Sequence, residues 1–146
     1  MIVHVKRYPR YSLWIEGVPK SLSAKKKAGY VDRVKQVAGQ IVPEPLRGGR
    51  LDIEIVFAAR DRFLRPDVDN VAKPILDALK DVLYRDDRQV RSVRVVALPL
   101  DDAFRLSGER GALDRLFRGN EFLVNVYEGL DLGLSVSEAR KTAKSE

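Results

Sequence analysis

The 146-residue chain is 45% hydrophobic and 33% charged, a balance that suits one compact domain and excludes a fibre, a disordered chain and, because its apolar runs are only a few residues long, a membrane-spanning helix. With no cysteine and a single histidine, His4, it lacks the means for disulfides, thiolate metal sites and cysteine nucleophiles, and a Ser/His/Asp triad or multi-histidine zinc site is nearly excluded. The net charge of +6 sits at the front, where residues 1–50 hold 11 basic and 3 acidic side chains; this suggests a polyanionic partner such as nucleic acid, solubility being the plainer reading.

Residues 11–17, Tyr-Ser-Leu-Trp-Ile-Glu-Gly, are aromatic and β-branched up to a terminating glycine and predict a first strand. Residues 18–27 combine Pro19, Ser21 and Ser23 with Lys20, Lys25, Lys26 and Lys27 and show no period, which reads as a basic loop. Val31, Val34, Val37, Ala38 and Ile41 recur at spacings of three and four and predict an amphipathic helix that stops before Pro43 and Pro45. Leu51, Ile53, Ile55 and Phe57 alternate along a second strand. An arginine-rich loop with Arg60, Arg62 and Arg65 follows, suited either to phosphate contact or simply to solubility.

From Val71 the pattern is helical again, through Ile75, Leu79 and Val82. Proline is cheap only in the first helical turn, so Pro74 predicts a cap near Asn70 or Val71, with Asp67 and Asp69 preceding the helix. After a turn at residues 85–87, residues 90–98 predict a third strand. Residues 122–127 predict the last one, beyond a less regular stretch at 101–120. The fold class is therefore α/β in the α+β sense: a small mixed sheet of about four to five strands flanked by two main helices, in one domain over residues 1–130. Residues 131–146 read as a tail, helical or disordered. The first residues lack the features of a secretory signal, which predicts a cytoplasmic address.

The chemistry concentrates in RPDVDNVAKPILDALKDVLYRDDRQV, residues 65–90. If the backbone is extended at Asp67 and Asp69, both carboxylates point to one side, and the returning strand brings Asp86 and Asp87 towards them. Such a cluster repels itself unless a cation sits in it, and oxygen ligands suit Mg²⁺ or Mn²⁺. Inside a basic protein, an acidic metal site fits phosphodiester hydrolysis, with Lys73 placed to orient a carboxylate or to stabilise charge on the phosphate. Each residue also has a plainer role: Asp69 and Asn70 as caps, Asp86 and Asp87 as turn formers, Lys73 as a solvated position. Asp77 and Asp81, four apart on the predicted helix with Lys80 nearby, read as surface charge.

Taken together, PDVDN at residues 66–70, Lys73, the helix from Pro74 to Leu79 and the closing Asp86-Asp87-Arg88-Gln89-Val90 resemble the RusA family of crossover (Holliday) junction endodeoxyribonucleases. The resemblance implies a small mixed α/β fold, a homodimer, and Mg²⁺-dependent symmetrical cleavage of four-way DNA junctions, with Mn²⁺ as a substitute metal. It places metal-binding catalytic aspartates at Asp67, Asp69 and Asp87, the essential lysine at Lys73, a neighbouring acid and further metal-site residue at Asp86, and the motif asparagine at Asn70. Lys20, Lys25, Lys26, Lys27, Arg60, Arg62, Arg65 and Lys73 are then the candidates for DNA contact. A metal-dependent nuclease acting on flaps, single strands or RNA, and a non-catalytic nucleic-acid-binding domain, are the competing readings.

Overall fold

The computed structural model describes residues 8–17, 24–59, 68–99, 110–117 and 120–129. Four strands and three helices follow in the order β1 (Tyr11–Glu16), α1 (Ala24–Ile41), β2 (Leu51–Ala59), α2 (Val68–Leu79), β3 (Val90–Pro99), α3 (Arg110–Phe117) and β4 (Glu121–Glu128), with a 3₁₀ turn at Asp87–Gln89 leading into β3. The sheet order is β1-β4-β2-β3. β4 is antiparallel to both neighbours, while β2 and β3 are parallel and joined through α2. This is the mixed sheet with two main helices that the patterning predicts.

Alternation along each strand determines which face is covered. Leu13 pairs with Val124, Val124 with Ile55 and Ile55 with Val95, so one row of apolar side chains crosses all four strands. Helices α1 and α2 both close this face: Tyr30, Val34 and Ala38 from α1 and Val71, Ile75, Ala78 and Leu79 from α2 join Leu13, Ile15, Ile53, Ile55, Phe57, Phe122, Val124 and Val126 in one buried core. On the opposite face α3 covers a smaller cluster, with Leu116 against Ala58 and Leu98 and with Trp14, Val56 and Leu123 at its edge. Arg115 fixes this docking, since its guanidinium lies 4.2 Å from the Trp14 ring centroid and binds both oxygens of Glu121 at 2.8 and 2.9 Å. The rest of that face is polar: Ser12, Asn125, Glu54 and Arg94 form a row linked by Ser12 Oγ donating to Asn125 (2.8 Å), Asn125 Nδ2 donating to Glu54 (3.3 Å) and an Arg94–Glu54 ion pair at 3.6 Å.

Two backbone positions need glycine. Gly17 ends β1 at φ +104, and at Gly129 a Cβ would collide with Arg50, whose carbonyl accepts the Gly129 N–H at 2.5 Å.

Three elements differ from the patterning. α1 begins at Ala24, so Lys25, Lys26 and Lys27 stand in its first turns and not in a loop. Alanine and lysine are strong helix formers, and a polar first turn has no apolar period to reveal it. α2 begins at Val68 and ends at Leu79, which places Pro74 seven residues into the helix and not in its first turn. The lost bond to the Asn70 carbonyl is offset by burial, since Val71, Pro74, Ile75, Ala78 and Leu79 are all buried. Asp81 has φ 68 and lies in the turn after α2, so it does not share a helix face with Asp77. The less regular stretch contains α3. Residues 131–146, the expected tail, lie outside the described residues.

Candidate active site

Because α2 starts at Val68, Asp69 is its second residue and its backbone is helical, not extended as the pairing of the two carboxylates requires. Asp69 instead stands in the first turn, where the unpaired N–H groups and the helix dipole favour negative charge, and four residues before Lys73. The side chains of Asp69, Asn70, Lys25, Lys26 and Lys27 lie outside the described structure, as do residues Lys20, Arg60, Arg62, Arg65 and Asp67 altogether.

The described part of the site is an open cavity of about 310 Å³ along the exposed side of α2, lined by Ala72, Lys73, Leu76, Asp77, Tyr84, Asp87 and Val90. Lys73 and Asp87, far apart in sequence, thus share one surface. The α2 residues that line the cavity, Ala72, Lys73, Leu76 and Asp77, begin one helical turn after Asp69. Asp87 is 74% exposed and its carboxylate meets the Lys80 ammonium at 3.3 Å, just past the helix end. Tyr84 packs beneath, with its hydroxyl donating to the Leu76 carbonyl at 2.8 Å. Burial, and then the negative charges of Asp87, Asp77 and Asp81, push this phenol up to about 12, so it stays protonated at neutral pH.

Asp86 faces a different set of partners. It caps the 3₁₀ turn: its side chain accepts the Arg88 backbone N–H at 2.9 Å, and the Arg88 guanidinium reaches both its oxygens, with Nη2 at 2.9 Å. These bonds, led by the side-chain contact with Arg88, pull the Asp86 carboxyl down to about 2. This is the turn-forming role that the sequence also allows, and a cation bound at Asp86 would share the carboxylate with Arg88. Gln89 completes the turn from the other side, accepting from the backbone N–H groups of Arg85 and Asp86 at 3.0 Å each.

Among the described residues no group of three or more acidic or histidine side chains is placed to hold a metal ion. The fit to Mg²⁺ or Mn²⁺ rests on donor chemistry: Asp87 offers an exposed carboxylate, the hard oxygen donor such ions take, with the Lys80 ammonium beside it. Asp77, Lys80 and Tyr84 are the site residues that apolar patterning passes over. The signal was present in the charges, since Lys73, Asp77 and Lys80 follow one another at spacings of four and three on a helix.

A family model described as endodeoxyribonuclease RusA matches residues 6–106. The match takes in β1 to β3 and the whole candidate site, and stops before α3 and β4, although β4 is an inner strand of the sheet. A search of curated proteins finds no match. No described helix is long and apolar enough to cross a membrane. A family match over more than half the chain, carried on the fold and motif just described, assigns it: this chain belongs to the RusA endodeoxyribonuclease family.

Proposed function

We propose that the protein is a Mg²⁺-dependent endonuclease of the cytoplasm that resolves four-way DNA junctions as a homodimer, in recombination and repair. The observation that carries this reading is the convergence of Lys73 and Asp87, which belong to separate parts of the motif, on one open cavity of a chain from an endodeoxyribonuclease family. Asp67, Asp69 and Asp87 are the proposed ligands. These residues would hold a divalent ion, which when bound would supply a water of lowered pKa and positive charge near the leaving oxygen. Lys73, exposed at the cavity, offers an ammonium to the negative phosphate, and Lys80 orients the Asp87 carboxylate while leaving it accessible. Two cuts on strands related by a two-fold axis require two matching sites, which a symmetric dimer provides in one complex. The test is cleavage of a four-way junction with Mg²⁺ and with excess chelator: cleavage restricted to the Mg²⁺ reaction supports the reading, and equal cleavage in both contradicts it.

DNA contact is assigned to Lys20, Lys25, Lys26, Lys27, Arg60, Arg62, Arg65 and Lys73. Successive helical positions are about 100° apart, so Lys25, Lys26 and Lys27 spread over roughly half of the circumference of α1 and do not all meet one strand of DNA. Their triple replacement by Ala is expected to lower junction affinity for every sequence alike. It should flatten the slope of log K against log salt by about 1 to 2, from one or two lost phosphate contacts. Fluorescence anisotropy over a salt series measures it, and an unchanged slope would show that these lysines are only solvated.

A further inference from the structure

We infer that Gln89 is a positioning residue that holds Asp87 where the cavity needs it, by anchoring the acidic turn to the segment that enters β2. The inference rests on the proposed role of Asp87. Every hydrogen-bonding group of the Gln89 amide is used. Its Oε1 accepts from Arg85 and Asp86, and its Nε2 donates to the carbonyls of Leu46 at 2.8 Å and Gly48 at 3.0 Å. Capping the turn needs only the acceptor, which a glutamate would supply equally well. The two donor bonds do something further: they tie residues 85–89 to residues 46–48 across more than forty positions of sequence.

A second bond closes the other end of the same segment, where the Leu46 N–H donates to the Leu83 carbonyl at 2.7 Å. Residues 83–89, which carry Tyr84, Asp86 and Asp87, are therefore fastened to one short stretch of chain at both ends. Tyr84 is fully buried, but Asp87 is largely exposed, so packing does not locate its carboxylate. Its position depends on the backbone of the turn and on the 3.3 Å contact with Lys80. Losing the Gln89 anchor frees that backbone, and displacements of about 1 Å in such a site are enough to cost roughly 100-fold in rate.

The test compares wild type with Gln89→Met, which keeps length and removes all four bonds, and with Gln89→Asn, which keeps the amide but is too short to bridge both segments. Both are uncharged, so the net charge around Asp87 is unchanged. Calorimetric titration of the DNA-free protein with Mn²⁺ and the Mg²⁺ midpoint of junction cleavage are read beside a thermal melt. The expected result for Gln89→Met is a 10- to 100-fold rise in both metal values, with cleavage recovering at high Mg²⁺ and metal-free junction affinity unchanged. Gln89→Asn is expected to fall between it and wild type, and it serves alone should Gln89→Met fail to fold. Metal values within twofold of wild type overturn the inference, as does a loss of cleavage that tracks a lowered melting temperature and is not recovered by Mg²⁺. Asp87→Asn in the same assay separates the two claims: if that variant cleaves normally, the assignment of Asp87 itself is wrong.

Discussion

Replacing Asp67, Asp69 or Asp87 by Asn is expected to lower junction cleavage at least about 1,000-fold, equivalent to about 4 kcal/mol of transition-state stabilisation, with no loss of junction binding. Asparagine keeps the shape of each side chain and removes the charge that would hold a divalent ion. Without that ion the chain has no other evident source of a nucleophile, having no cysteine and one histidine. Binding is expected to hold or tighten, because a carboxylate facing the phosphate backbone repels it. Asp86→Asn is expected to be milder, since its carboxylate is committed to the Arg88 backbone and guanidinium. Single-turnover cleavage with gel-shift binding checks the series. Equal losses at Asp86 and Asp87 would contradict the distinction drawn between them, and activity retained in all three variants would falsify the metal assignment.

The largest expected effect on stability is in the sheet. Phe57→Ala is expected to cost about 3 to 5 kcal/mol, from lost burial and the cavity left behind. Phe57 is fully buried on β2, which has a strand paired on each side and both main helices on its inner face. Domains of this size are commonly stable by only 5 to 15 kcal/mol, so a large part of the margin would go. Urea unfolding measures it, and a change below about 1 kcal/mol would mean that the inner face is not packed as described.

The strands were legible because an inward and outward alternation such as Leu51, Ile53, Ile55 and Phe57 has one period that a half-covered sheet demands. The central place of β4 was harder to see, because strand order is decided by pairing partners distant in sequence. Helix beginnings failed for a related reason: the Lys25 to Lys27 turn has no apolar residue to make a pattern, and the rule about Pro74 gave way to five buried positions along α2. In the site, residue types and spacing pointed to Lys73 and Asp87. Their meeting at one cavity, the capping of Asp86 by Arg88 and the four bonds of Gln89 depend on where the turn after α2 lands against residues 46–48, which no local pattern encodes.

Metal-dependent, paired cleavage of a four-way junction is tested on a supercoiled plasmid that extrudes a cruciform. One encounter with a two-site enzyme converts the plasmid to a linear product cut symmetrically at the cruciform base, whereas a single cut leaves a nicked circle. Linear product is expected with Mg²⁺, none with excess chelator, and none from Asp87→Asn. Linear product in chelator, or nicked circles alone from a protein that sediments as a monomer, would contradict metal-dependent, paired cleavage.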